Sequence, residues 1–362
     1  MGNSTSCEIP KTMKRLVLVQ PHKDVAQAQL RIEEVDVPTP RSGQVLIRVS
    51  AAPINPSDYG EWRHVVEGKE FGEPRPIGKE GSGVVVAVGS GFTNGLLGKK
   101  VGFTNLPRGQ GAYSEYVCAS AMQSAFPLPE SVPVEAAASF FVNPYTVYGI
   151  LDTAQSRGSP GLVHTAAASQ LGQMMVKYCK AKKVPLINVV RRQEQKEILQ
   201  ALGAEHVVVT GDNENWKKEL KTLVTEQKVT CAFDAVGGDM AGDLTDILPP
   251  KGHYFIYGGL AGKGMCNINP LDIIYRGITV NGFFLGSWIK NGGSLSMLMR
   301  LKGASAAVLP ALTDGWSSSQ FVDCSLDSAF SEFQKMWSTG FTNKKLRIVF
   351  KAPEPAQKAL AE

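Results

Sequence analysis

The stretch GLVHTAAASQLGQMMVKYCKAK, residues 161–182, constrains the fold more than any other part of this 362-residue chain. An apolar run enters a cluster of small residues and continues as an amphipathic helix. That order is the opening of a parallel unit, because parallel strands need a helical crossover. The pattern then recurs. PLINVV, HVVVT, VTCAFDAV, GHYFIYGG and GITVNGFFL are apolar runs, and helical stretches begin near residues 194 and 214 between them. Alternation of this kind predicts an α/β fold, a doubly wound parallel sheet covered by helices on both faces, over residues 141–304.

Upstream the rhythm is different. RLVLVQ, QVLIRVSAAPINPSD, GSGVVVAVGSG, GKKVGFTN and GAYSEYVCA are short runs punctuated by Gly and Pro, the signature of a twisted, strand-rich domain. After a terminal helix near 326–337 comes a single strand, KKLRIVF. One strand cannot bury itself, so it is expected to return to the first sheet. The resulting division is a tail (1–13), a β-rich domain (14–140 and 305–352) and a parallel α/β domain (141–304), consistent with a length that suits two cores.

Composition narrows the function. With 38 Lys+Arg against 33 Asp+Glu the formal charge is only +5, spread along the chain, which argues against nucleic acid and allows an anionic small ligand. The six cysteines show neither CxxC spacing nor Cys/His pairing, so neither a disulfide framework nor a structural zinc lobe is indicated.

The turn at 167–172, AASQLG, stands where a dinucleotide-binding loop would carry its glycines, and only Gly172 remains of them. Small side chains at Ala167, Ala168 and Ser169, followed by Gln170 and Leu171, still admit a close backbone, and the helix start offers an anion site. The next strand ends at Arg191 and Arg192, about twenty residues on, where an NAD site usually places an acid. Two arginines there suit a 2′-phosphate, which points to NADP(H); the bland alternative is two solvated side chains at a helix start.

The N-terminus, MGNSTSC, fits the pattern for myristoylation of Gly2, with Cys7 as a candidate second acylation site and Lys11, Lys14 and Arg15 near enough to face anionic lipid. It reads equally as a polar, unstructured tail. The expected location is cytoplasmic, with peripheral membrane contact if acylated. A mitochondrial location is the alternative, although Glu8 and the lack of an Arg-rich amphipathic run argue against a transit peptide.

With INPSD (54–58), GKEGSGVVVAVGSG (78–91), GAYSEY (111–116), VNPYTVYGIL (142–151), LGAEHVV, FDAVGG and FFLGSW in this order, the chain resembles the medium-chain dehydrogenase/reductase superfamily, over nearly all of 14–350. INPSD, VNPYT, INVVR, YGG and GFFLGSW are most similar to mitochondrial 2-enoyl thioester reductases, next to the zinc-free quinone oxidoreductases. The resemblance implies a GroES-like catalytic domain interrupted by a Rossmann domain. It further implies that Asn55, Asn143 and Thr146 line the nicotinamide and substrate slot, that Ala235, Val236, Gly237, Tyr257, Gly258, Gly259, Phe283, Phe284 and Leu285 pack along NADPH, and that Lys345 lies near it. It implies a homodimer through the strand GITVNGFFL.

Two departures matter. Where zinc-dependent members carry a ligating His, this chain has Lys79, so neither a three-ligand catalytic zinc site nor any other bound metal is expected. Where enoyl thioester reductases carry a catalytic tyrosine, counting reaches Val66; Tyr59 and His64 are the candidate donors in that segment, and Tyr59 reads equally as a packing residue. The leading reading is a zinc-independent NADPH-dependent reductase of an activated alkene, an enoyl thioester or enone. The others are an NADPH:quinone oxidoreductase and an NADPH-binding regulatory protein with little catalysis.

Overall fold

The computed structural model describes residues 9–65, 71–91, 93–339 and 344–351. Gly2, Cys7 and Val66 lie outside the described residues. The chain divides into two units, Met1–Phe141 with Phe321–Phe341 and Lys345–Glu362, and Val142–Gln320 with Thr342–Lys344.

The first unit begins with β1 (Thr12–Gln20), β2 (Gln29–Asp36), β3 (Gln44–Pro53), α1 (Pro56–Trp62), β4 (Arg75–Pro76), β5 (Glu80–Val88), β6 (Lys100–Thr104), β7 (Tyr116–Ser120) and β8 (Ala125–Pro127). The second comprises α2 (Val142–Ser156), β9 (Leu162–His164), α3 (Gln170–Lys182), β10 (Leu186–Val190), α4 (Gln193–Ala201), β11 (His206–Val209), α5 (Trp216–Glu226), β12 (Cys231–Asp234), α6 (Asp239–Ile247), β13 (His253–Ile256), α7 (Pro270–Tyr275), β14 (Thr279–Gly282), α8 (Leu285–Lys290) and α9 (Gly293–Val308). The chain returns to the first unit with β15 (Phe321–Cys324), α10 (Ala329–Thr339) and β16 (Lys345–Val349).

In the first unit a three-stranded sheet runs β2-β1-β4, and a seven-stranded sheet runs β15-β16-β3-β5-β6-β8 with β7 also paired to β3. The closing strand does return: β16 pairs antiparallel with β3, Ile348 facing Ala52. It does not come alone, because β15 lies parallel beside it. Alternating strands put Leu18, Ile47, Val49, Val101, Phe103 and Ile348 into one core, with Trp62 of α1 and Phe333 of α10 closing it. Gly83 and Gly111 sit where a Cβ would strike the backbone of Arg48 and Ile77, which explains why the β domain is rich in glycine.

In the second unit six parallel strands lie in the order β11-β10-β9-β12-β13-β14. The order reverses between β9 and β12, and in open α/β sheets ligands bind outside the carboxyl ends of the strands at such a switch point. Val163, Ile187, Val189, Val208, Ala232 and Tyr254 form the core on which α5 and α6 pack. The unit extends to Gln320 rather than ending at 304, because the last turns of α9 pack on α2, where the Tyr145 and Ser305 hydroxyls lie 2.6 Å apart.

Candidate active site

At the switch point β9 ends in His164 and the chain turns through Ala166, which takes the left-handed conformation (φ 50°) that glycine ordinarily supplies. Ser169 caps α3, its hydroxyl accepting from Gly172 N–H at 3.1 Å. A Cβ on Gly172 would collide with the Ala167 carbonyl, so this one retained glycine is what lets the helix close on the loop. Ala167 and Ala168 are buried and the first turn of α3 presents its N–H groups at the strand end. Gln170 turns away, its side-chain oxygen accepting from Gln320 N–H at 3.1 Å, while Leu171 continues the helix.

The loop is tied across the switch point by a residue that motif reading passed over. Asp234, fully buried at the end of β12, accepts from Thr165 Oγ1 (2.6 Å), Val236 N–H (2.8 Å), Gly237 N–H (3.0 Å) and Tyr254 Oη (2.8 Å). Four donors on one carboxylate hold the two strand-end loops, 165–169 and 235–238, in one frame. Gly237 (φ 69°) and Gly238 (φ 59°) supply the turn that aims both N–H groups inward. Gly258 passes close beside, a Cβ there meeting the Ala235 oxygen at 2.7 Å; Gly259 is open, and Tyr257 donates its N–H to the Asp234 carbonyl at 2.8 Å. The signal for Asp234 was present: one acid closing an all-apolar strand three residues before a Gly-Gly turn.

Arg191 and Arg192 stand exposed at the end of β10, their N–H groups both held by the Gln195 side-chain oxygen at 3.0 and 3.1 Å. Arg192 lies 3.7 Å from Glu194, an exposed pair of little strength, and Arg191 pairs with no carboxylate among the described residues. Asn143 and Thr146 share a face of the first turn of α2, both buried. The run 283–285 splits: Phe283 is buried edge-on to Phe233, Leu285 starts α8, and Phe284 is exposed. Phe283 thus packs into the second unit, and Phe284 stands in solvent.

The first unit gathers a second buried cluster. Asn55 precedes α1, and Asp58 Oδ2 accepts from its backbone N–H at 2.7 Å. The Asn55 amide donates to Glu80 Oε1 at 3.0 Å, and Glu80 Oε2 accepts from Phe141 N–H at 2.9 Å. Asn55 has no accessible surface, and its amide ties the start of α1 to β5, while its side-chain oxygen has no partner among the described residues. Tyr113 Oη donates to Asp58 Oδ2 at 2.9 Å, yet Asp58 Oδ1 has no partner among the described residues. Burial pushes the Asp58 carboxyl up to about 6, against the bonds from Asn55 and Tyr113 and the charge of Lys79, with Glu80 adding to the rise. Lys345 is buried here too, Nζ donating to Ser139 Oγ at 2.7 Å; burial lowers its ammonium, while Glu80 and Asp58 hold it up.

Lys79 pairs with Glu61 at 2.6 Å. Among the described residues no group of three His, Cys, Asp or Glu is placed to hold a metal. The Tyr59 ring lies between Phe333 (5.5 Å) and Trp337 (5.4 Å), part of the aromatic floor under α10. Burial pushes its phenol well up, so it stays protonated, the form that donates. His64 is exposed just past the end of α1.

The zinc-binding dehydrogenase family matches residues 171–299, and the alcohol dehydrogenase GroES-like domain matches 41–130. Mitochondrial enoyl-[acyl-carrier-protein] reductase of Bos taurus is 31% identical over 301 residues, 80% of this chain and 76% of the relative. The chain belongs to the medium-chain dehydrogenase/reductase superfamily, in its zinc-free branch. A Mesorhizobium loti protein assigned as an NADPH:quinone reductase superposes with a TM-score of 0.81 at 28% identity, covering 95% of this chain and all of that one. A mycobacterial protein solved in complex with NADPH shares the fold, with a TM-score of 0.73 at 20% identity over 93% of this chain and all of that one. The GroES-like and Rossmann-like parts expected from the sequence are both present, and the chain is an oxidoreductase of this superfamily.

Proposed function

We propose that this chain is a zinc-independent, NADPH-dependent reductase of activated alkenes, an enoyl thioester or an enone. The observation that carries the reading is the frame at the switch point, where Asp234 locks two strand-end loops, beside a β10 end that offers Arg191 and Arg192. The residues fit a dinucleotide phosphate: Gly172 and Gly258 let the helix start and the strand-end loops pack at close range, the capped start of α3 favours an anion, and the paired arginines suit a 2′-phosphate. Bound NADPH supplies hydride to the β-carbon of the alkene.

The chain's own part is to orient the substrate, exclude water and deliver a proton to the α-carbon. Tyr59 is the donor of choice: its ring is held by Phe333 and Trp337 and its phenol keeps its proton at neutral pH. His64 is the rival. The absence of tyrosine at position 66 supports the second reading, a quinone reductase, which needs no such acid; the Mesorhizobium likeness favours it as well.

The cofactor test is a fluorescence titration. NADPH is expected to bind at least about thirtyfold more tightly than NADH, as one charge-assisted contact or more implies, and Arg191→Ala/Arg192→Ala to erase most of the difference. Equal affinities in the unmodified protein would refute the assignment. The outer edge of β14 is unpaired among the described residues and flanked by exposed Ile274, Tyr275 and Phe284, which supports a homodimer through that edge; sedimentation as a monomer at micromolar concentration would exclude it. Membrane attachment through acylated Gly2 and Cys7 in the cytoplasm, or a mitochondrial location like that of the bovine relative, is decided by mass spectrometry of the N-terminus.

A further inference from the structure

α9 is a helix built the wrong way round for a surface helix. It docks on the second unit through its small residues. Gly303 clears the Tyr148 hydroxyl, which a Cβ would meet at 2.8 Å; Ser305 pairs with Tyr145; and Ala304 and Val308 are buried. Three of its bulky residues face outward, with Leu295 75%, Leu298 62% and Met299 66% exposed. With Lys302 and Ala306, also exposed, they form one stripe at helical spacing. Scattered exposed leucines need no explanation, but a contiguous apolar stripe marks a surface that is covered in use.

Charge selects what covers it. Residues 273–313 contain four bases, Arg276, Lys290, Arg300 and Lys302, and no acid. Arg276 is consumed by Asp272 (2.7 Å), and Arg300 reaches the Asn291 carbonyl and, at 4.0 Å, Asp152 of α2. Lys290 and Lys302 are exposed and meet no carboxylate among the described residues. A second copy docking here across a two-fold axis would set Lys302 beside its own kind, with no acid in the stripe to pair it. The stripe also lacks the Trp and Tyr anchors that dominate protein interfaces. Unanchored Leu and Met on a convex ridge, edged by lysines, suit a fluid anionic surface.

We propose that the outer face of α9 is a peripheral contact for an anionic lipid bilayer, with Leu295, Leu298 and Met299 entering the headgroup region and Lys290 and Lys302 facing lipid phosphates. No helix among the described residues is long and apolar enough to cross a membrane, so the contact lies on the surface. It is independent of any acylation of the N-terminus and of the reaction proposed above.

The test uses the full-length, unacylated protein in vesicle co-sedimentation, with phosphatidylcholine alone or with about 30 mol% phosphatidylserine, at low and high salt. The protein is expected to partition onto the anionic vesicles and to release in high salt. Leu295→Ser/Leu298→Ser/Met299→Ser and, separately, Lys290→Glu/Lys302→Glu are expected to weaken binding by at least about tenfold, with melting temperature and NADPH oxidation unchanged. Equal partition of all three proteins, equal binding to both vesicle types, or a shift from dimer to monomer in the variants with vesicle binding intact would each overturn the proposal.

Discussion

Two buried carboxylates, one in each unit, receive opposite treatment. Asp234 of the parallel unit collects four donors, from Thr165, Tyr254 and two backbone N–H groups. Asp58 of the β-rich unit collects two on one oxygen, has no partner for the other among the described residues and faces the charge of Glu80. The difference teaches that the first is a fixed part of the frame, while the second is a group whose charge responds to pH. The same contrast separates the chemistry. The parallel unit ties its buried acid down, whereas the β-rich unit holds its ionisable groups, Asp58 and Lys345, out of water and away from their ordinary strengths.

The largest effect is expected at Asp234. Asp234→Ala leaves the Thr165 and Tyr254 hydroxyls and two N–H groups buried without an acceptor. Loss of a buried, hydrogen-bonded charge of this kind costs about 3–5 kcal/mol. Calorimetry is expected to show the melting temperature falling by roughly 10 °C, with weakened NADPH binding. A variant that melts and binds as the parent does would mean that the two carboxylates are not different in kind.

Next in size is Tyr59→Phe. Loss of a general acid is expected to lower kcat on an enoyl-CoA roughly ten- to a thousandfold with NADPH affinity unchanged, and His64→Ala is the control for the rival donor. A fall in melting temperature instead of kcat would assign Tyr59 wholly to packing against Phe333 and Trp337.

The smallest effect sharpens the comparison by its sign. Burial raises Asp58 in the folded state from 3.8 to about 6, so the folded chain binds the extra proton. Its contribution to stability is complete below pH about 4 and is lost as pH rises through about 6, at most about 3 kcal/mol. In the other unit, burial lowers His164 from 6.5 to about 4, its Nε2 bonded to Asn188 Oδ1 at 2.7 Å. Its contribution is complete above pH about 6.5 and is lost as pH falls through that window. Hydrogen exchange corrected for intrinsic rates, at pH 5 and 7, is expected to show α1 and β5 losing protection toward pH 7 while β9 and β10 gain it. Asp58→Asn should remove the first trend and leave the second; parallel trends in both units would break the contrast.

The parallel unit was legible because its signals are local: apolar runs of strand length, helical intervals, one retained glycine and two arginines at a strand end. Its cross-ties were not, since Thr165 and Asp234 are 69 residues apart and become partners only when β9 and β12 lie side by side. The boundary expected at 304 falls inside α9, because the contact that holds its last turns, Ser305 to Tyr145, joins residues 160 apart. In the β-rich unit, β15 escaped notice since four residues, FVDC, carry too little alternation to register. The tie from the Asn55 amide to Glu80 was not legible, because Glu80 comes from a strand 25 residues on.

The central proposal is that this chain turns over NADPH on an activated alkene and that Tyr59 is its proton donor. NADPH consumption against a panel of enoyl-CoA, enone and quinone substrates tests it most directly. Oxidation of NADPH matched mole for mole by a saturated product, and strongly slowed by Tyr59→Phe, is the expected result. Oxidation with quinones alone would move the chain to the second reading, and NADPH binding with no oxidation by any member of the panel would contradict the account.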